Sequence, residues 1–225
     1  MKHIEPIEKE LIALREEVSQ MWKLVISQLE KAKQSFFNND LNLAREIISR
    51  EKRVDAFELK IDSDCENYIA LFNPIAVDLR LVLSLIHISN TLERIADFAE
   101  GIARHVMEDD CVKTLHATSL LIEELQLEKM FDTLISMLSE SFSALESENT
   151  KVSGKILAMD DEIDAIYRNS IDILTKYLQE HPDLIRCGLK TILLIRKLER
   201  IGDRCSNIVE EIVFYVDAKV LKHGG

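Results

Sequence analysis

The 225-residue chain reads as an all-α protein of two tandem antiparallel three-helix bundles, and three observations carry that reading. Only six Gly and three Pro occur, whereas Leu, Ile, Glu, Lys and Ala dominate, a composition suited to long helices. The hexapeptide Leu92-Glu93-Arg94-Ile95-Ala96-Asp97 returns 106 positions later as Leu198-Glu199-Arg200-Ile201-Gly202-Asp203, so the chain holds two copies of one unit. Both copies carry an apolar seam with alternating steps of four and three. One runs through Ile88, Leu92, Ile95, Ala99, Ile102 and Val106, the other through Leu194, Leu198, Ile201, Cys205, Ile208 and Ile212. Such seams suit antiparallel helices joined by short turns.

Pro6, a favoured residue at a helix start, opens the first helix, which runs to Phe37 and stops at Asn38-Asn39-Asp40. The second spans Leu41 to Phe72. Asn73 as N-cap and Pro74 at the first helical position predict a third helix from there to Val106. Met107 to Thr118 loses the period and reads as a linker. A fourth helix is expected from Leu120 to Leu145, ending in the polar run Glu146 to Thr150. The fifth should run from Val152 to Gln179, and the sixth from Pro182 or Asp183 to Lys219. The two units are assigned to residues 1–109 and 110–225.

The formal net charge of -12, with no basic stripe, argues against nucleic-acid binding, which needs Lys and Arg gathered on one face. The N-terminal residues lack the apolar run of a secretory signal. The longest apolar stretch, Leu79 to Ser89, is broken by Arg80 and His87 and is too short to span a bilayer. A soluble protein without membrane insertion, retained inside the cell, is the expectation. Cys65, Cys111, Cys187 and Cys205 are widely spaced and form no Cys-x-x-Cys, so all four are expected as thiols in a reducing compartment.

Chemistry concentrates in the repeated acids. Residues i and i+4 of a helix share a face, so Glu93/Asp97 and Glu199/Asp203 each present two carboxylates side by side. Upstream, Glu51-Lys52-Arg53-Val54-Asp55 aligns with Asp160-Asp161-Glu162-Ile163-Asp164, 109 residues later, which repeats a second acidic pair. Counted from the Asn73-Pro74 turn, the Glu51/Asp55 pair centres 20.5 residues before it and the Glu93/Asp97 pair 21.5 after it. The Asp160/Asp164 and Glu199/Asp203 pairs both centre 19.5 residues from the His181-Pro182 turn. At 1.5 Å per residue, the two pairs of each half sit level on adjacent helices, roughly 30 Å from the turn. With 40 acids in the chain, about seven such i, i+4 pairs arise by chance, so a single pair carries no information. Repetition in both halves and level placement point instead to a cation site. Four carboxylates with little His or Cys suit hard, oxygen-seeking ions such as magnesium, manganese or iron, and also zinc.

The doubled Leu-Glu-Arg-Ile-Ala/Gly-Asp motif, each copy with its upstream acid pair, resembles the PhoU family of phosphate transport accessory proteins, as does the Asn73-Pro74 to Asp78-Leu79-Arg80 entry to the third helix. The resemblance covers essentially the whole chain. It implies two three-helix bundles related by pseudo-twofold symmetry, with metal ions at Glu51, Asp55, Glu93 and Asp97 and at Asp160, Asp164, Glu199 and Asp203. The family motif continues with an Asn four residues after its last Asp. Asn207 matches it, but the first copy has Gly101, which implies weaker metal binding or an extra water there. The resemblance further implies a non-enzymatic cytoplasmic regulator, commonly a homodimer. Such a protein links the phosphate ABC transporter ATPase to a phosphate sensor histidine kinase and dampens uptake and the starvation response.

The alternative is a carboxylate-ligated metal-storage or metalloenzyme bundle. That architecture places Glu-x-x-His on two helices, and no acid stands three residues before any of the six His. Arg94 and Arg200 are read as salt-bridge partners of the neighbouring acids. His87, inside an apolar run, is expected to be buried or at a boundary, and Trp22 in the core or an interface.

Overall fold

The computed structural model describes residues 6–108, Cys111 and residues 119–220. Its longer helices are α1 (Pro6–Asn38), α2 (Leu41–Phe72) and α3 (Ala76–Glu108) in the first half. The second half contains the short α4 (Ser119–Glu124), then α5 (Leu127–Ser147), α6 (Ser153–Glu180) and α7 (Ile185–Asp217). No strand occurs among the described residues. Most of the expected linker lies outside them, and its first two residues, Met107 and Glu108, still belong to α3.

Local chemistry explains the turns. After α1, Asn39 takes a left-handed φ of 49°, and the Asp40 carboxylate accepts the amides of Asn42 at 2.8 Å and Leu43 at 3.2 Å, capping α2. The next turn differs from the expectation. Asn73 ends α2 rather than starting α3: it is left-handed, with φ 47°, and donates its N–H to Ile69 O. Pro74 disfavours helical φ and ψ in the residue before it, so the chain turns at Asn73 and α3 begins at Ala76. In the second half, Pro182–Leu184 form a single 3₁₀ turn ahead of α7, and left-handed Ala218 ends that helix before Lys219.

The expected fourth helix is interrupted at Gln126, which adopts φ 50°. Leu125 and Leu127 are both fully buried. Two residues apart on a straight helix they would point to nearly opposite sides, so a left-handed residue between them lets both reach the core.

Every residue of the two predicted seams is buried. The halves nevertheless share one core, because α3 packs along α7 and α1 along α5. Trp22 of α1 is fully buried, and its indole Nε1 donates to Leu138 O of α5 at 3.0 Å. Across the α3–α7 contact, Arg80 Nε donates to Tyr215 O at 3.2 Å, Ser84 Oγ to Glu211 O at 3.2 Å, and Lys197 Nζ to Gly101 O at 3.0 Å. Residue numbers rise on one helix as they fall on the other, so the helices are antiparallel and the two copies of the repeated motif lie at the same height.

A disulfide joins Cys111 to Cys187, with Cα atoms 5.0 Å apart, which corrects the expectation of four thiols. The antiparallel register sets the segment just past α3 beside the first turn of α7, and so brings together cysteines 76 positions apart. Cys65 and Cys205 remain free and buried.

Candidate metal centres

In the first half, α2 and α3 present their acids to one another. Glu51, Asp55, Glu93 and Asp97 share one patch, shown by their mutual electrostatics. Burial raises the Glu93 carboxyl to about 7, helped by Asp97, Glu58 and Asp55. Glu51 is raised by burial, then by Asp55, Glu100 and Asp97, and Asp97 by burial, Asp55 and Glu100. Among the described residues, no Lys or Arg nitrogen lies within 4 Å of these four carboxylates. Repulsion within the patch is therefore relieved by protons or by a cation.

Two members of this patch were not singled out from sequence. Glu58 and Glu100 each stand seven residues, two helical turns, after the first acid of their pair. Extending the i, i+4 search to i+7 would have found both. Glu58 is itself raised by burial and then by Asp62 and Asp55, whereas Glu100 is held by Arg104 at 2.6 Å.

The second half is built differently. The i+7 positions hold Tyr167 and Ser206 instead of acids. Glu199 is raised by burial, then by Asp203 and Asp164, so these three acids form a patch. Asp164 also meets Arg168 at 3.5 Å. Asp160 turns away toward α7, where its Oδ2 accepts a hydrogen bond from Ser206 Oγ at 2.6 Å. Its Oδ1 fills the space over Gly202, 2.5 Å from where a β-carbon on that residue would stand. Asn207 is half-buried, one turn beyond Asp203.

As placed, no three His, Cys, Asp or Glu side chains among the described residues are gathered closely enough to hold a metal ion. The donor chemistry still fits a hard cation in the first half, since α2 and α3 both present carboxylates there, and burial with mutual repulsion raises Glu51, Glu58, Glu93 and Asp97. In the second half, Asp160 is bonded to Ser206 and Asp164 meets Arg168, while Glu199 is raised by burial and by Asp203 and Asp164.

The neighbouring side chains depart from expectation in two places. Among the described residues Arg94 and Arg200 close no ion pair within 4 Å, and they act on Glu93, Asp97 and Glu199 through space, because adjacent positions on a helix point about 100° apart. His87 is 60% exposed, neither buried nor at a boundary, with Nδ1 3.0 Å from Glu211 Oε1. It lies on the flank of α3 away from the seam.

The family model described as a PhoU domain matches residues 18–106 and again 127–212. The chain belongs to the PhoU family. It is 33% identical over 216 residues to the phosphate-specific transport system accessory protein PhoU of Edwardsiella tarda, covering 96% of this chain and 86% of that one. Among solved structures, PhoU from Pseudomonas aeruginosa superposes with a TM-score of 0.83 at 27% identity, covering 94% of this chain and 99% of that one. The phosphate transport system regulatory protein PhoU from Streptococcus pneumoniae gives 0.83 at 25% identity, covering 96% and 100%. These PhoU structures and the repeated PhoU domain agree with the all-helical, two-unit architecture read from the seams.

Proposed function

We propose that this chain is a non-enzymatic, metal-bearing regulator of phosphate uptake. In this reading it acts in the cytoplasm as an adaptor between the ATPase of a phosphate ABC transporter and a phosphate sensor histidine kinase, and restrains uptake and the starvation response when phosphate is plentiful. Its similarity along the whole chain to accessory proteins of phosphate-specific transport is the observation that carries the reading. Among the described residues no helix is long and apolar enough to cross a membrane, which suits a protein that meets a transporter through its exposed surface.

Glu51, Asp55, Glu93 and Asp97, joined by Glu58 and Glu100, would hold a cation in the first half. Asp164, Glu199 and Asp203, with Asp160 and Asn207 nearby, would do so in the second. A bound divalent or trivalent ion, whether iron, zinc, magnesium or manganese, would neutralise the crowded carboxylates and cross-link two helices of a bundle. The chain's part is to supply oxygen ligands from rigid helices, whose buried seams hold the acids level.

The reading is tested by co-purification of the tagged chain from phosphate-replete cells. Recovery of the transporter ATPase or of the sensor kinase is expected, in a homodimeric bait. Recovery of neither would overturn the adaptor role.

A further inference from the structure

Between α3 and α7 lies a cleft of about 610 Å³ whose charge is opposite to that of the protein. Six of its ten lining residues are basic: Arg104 and His105 from α3, and Lys190, Arg196, Lys197 and Arg200 from α7. Among the described residues no acid lines it, although acids outnumber Lys and Arg by 40 to 28 in the chain. Lys197 donates to Gly101 O at 3.0 Å, and Arg104 to Glu100 at 2.6 Å. Arg196 and Arg200, one turn apart on α7, are exposed. Phe98 and Leu193 add an apolar shelf, with Leu193 59% exposed.

We infer that this cleft binds an organic phosphate, a small molecule with two or more phosphoryl charges on an apolar or aromatic body, of the nucleoside di- or triphosphate class. Guanidinium groups match phosphoryl oxygens bidentately, and two of them one helical turn apart can engage a diphosphate. The apolar shelf accommodates a ring. The volume falls within the roughly 300–1,000 Å³ usual for small-molecule sites. Both walls belong to helices already fixed, by the shared seam and by the Cys111–Cys187 bridge, so the cleft exists before a ligand enters. The site uses the bases beside the acidic motifs, not the acids, and needs neither metal nor protein partner.

The test is calorimetric titration of the full chain in metal-free, low-salt buffer with ATP, pyrophosphate, inorganic phosphate and adenosine. Saturable binding of ATP is expected, weaker binding of pyrophosphate, weaker still of phosphate, and none of adenosine. Arg196→Gln combined with Arg200→Gln should weaken ATP at least tenfold while circular dichroism and melting temperature stay unchanged. Both positions are exposed; should the double variant unfold, Arg200→Gln alone must still weaken binding. Absence of saturable ATP binding would overturn the inference, as would full affinity in a folded double variant. Polyglutamate competing as well as ATP would overturn the phosphoryl assignment, and pyrophosphate binding as tightly as ATP would overturn the apolar body.

Discussion

The ammonium of Lys197 stands where a β-carbon on residue 101 would reach, 2.5 Å from that position, and donates to the Gly101 carbonyl. Gly202, 101 positions on, is filled in the same way by Asp160 Oδ1. The two glycines should nevertheless respond differently to alanine. Lys197 is long and can swing its tip aside, so Gly101→Ala should fall within about 1 kcal/mol of neutral, helix propensity offsetting the lost hydrogen bond. Asp160 is short and tethered to Ser206, with Ile163 and Leu134 next in line at 3.6 Å, so Gly202→Ala should cost about 1–3 kcal/mol. Urea denaturation of both variants distinguishes them; equal effects would contradict the difference in tether.

Gln28 is fully buried, and among the described residues neither its Nε2 nor its Oε1 has a hydrogen-bond partner. An amide in that setting loses its hydration without replacement. Gln28→Met, similar in volume, should therefore raise stability by about 1–2 kcal/mol. A lower denaturation midpoint would show that the amide is satisfied in solution.

Glu148 joins α5 to the end of α7. Its Oε1 accepts from Tyr215 Oη at 2.6 Å and from Arg15 at 2.6 Å, and these bonds, Tyr215 foremost, hold its carboxyl below the ordinary 4.5. The sign follows from the lowered value. The contribution is complete above about pH 4.5 and is lost as pH falls through the folded-state value. Glu148→Gln should reduce stability at neutral pH and flatten its decline between about pH 5 and about pH 3. Parallel slopes for the two proteins would remove Glu148 from the acid transition.

The acidic patch makes opposite predictions with and without metal. In chelator, Asp97→Asn should raise the urea midpoint, because one source of repulsion on Glu51 and Glu93 is gone. Protein purified without chelator should carry bound metal, and Asp97→Asn and Asp203→Asn should each lower its content by elemental analysis. Glu58→Gln should lower it as well. Metal content indifferent to Asp97→Asn and Asp203→Asn would overturn the site assignment.

The Cys111–Cys187 bridge closes a loop of 76 positions. Chain-entropy reasoning assigns such a loop about 4 kcal/mol, an upper figure for Cys187→Ser or for reduction. Denaturation with and without reductant measures it, and thiol labelling in denaturant should find two reactive groups before reduction and four after. Equal stability in both conditions would show that the bridge constrains nothing that unfolding releases.

Much of this was legible locally. The seam of α3 and that of α7 follow from helical period, and Asp40 caps α2 through its own neighbours. The acidic pairs were visible because their spacing repeats, and Glu58 and Glu100 were within reach of the same search extended by three residues. Asn73 was misread for a physical reason: Asn is favoured both before a helix and in the left-handed residue that ends one, and the choice rested on its N–H reaching Ile69 O.

By itself, then, the sequence determined the helical class, the duplication, the buried seams and the acids that share a helix face. All of these depend on residues within a few turns of one another. Tertiary packing alone decided that Gln126 breaks a helix to bury two leucines, that Asp160 turns inward onto Ser206, and that Cys111 finds Cys187. It also decided that bases from α3 and α7, about a hundred positions apart, line one cleft. Those outcomes rest on the antiparallel contact of α3 with α7, and no local spacing encodes which helix face meets which.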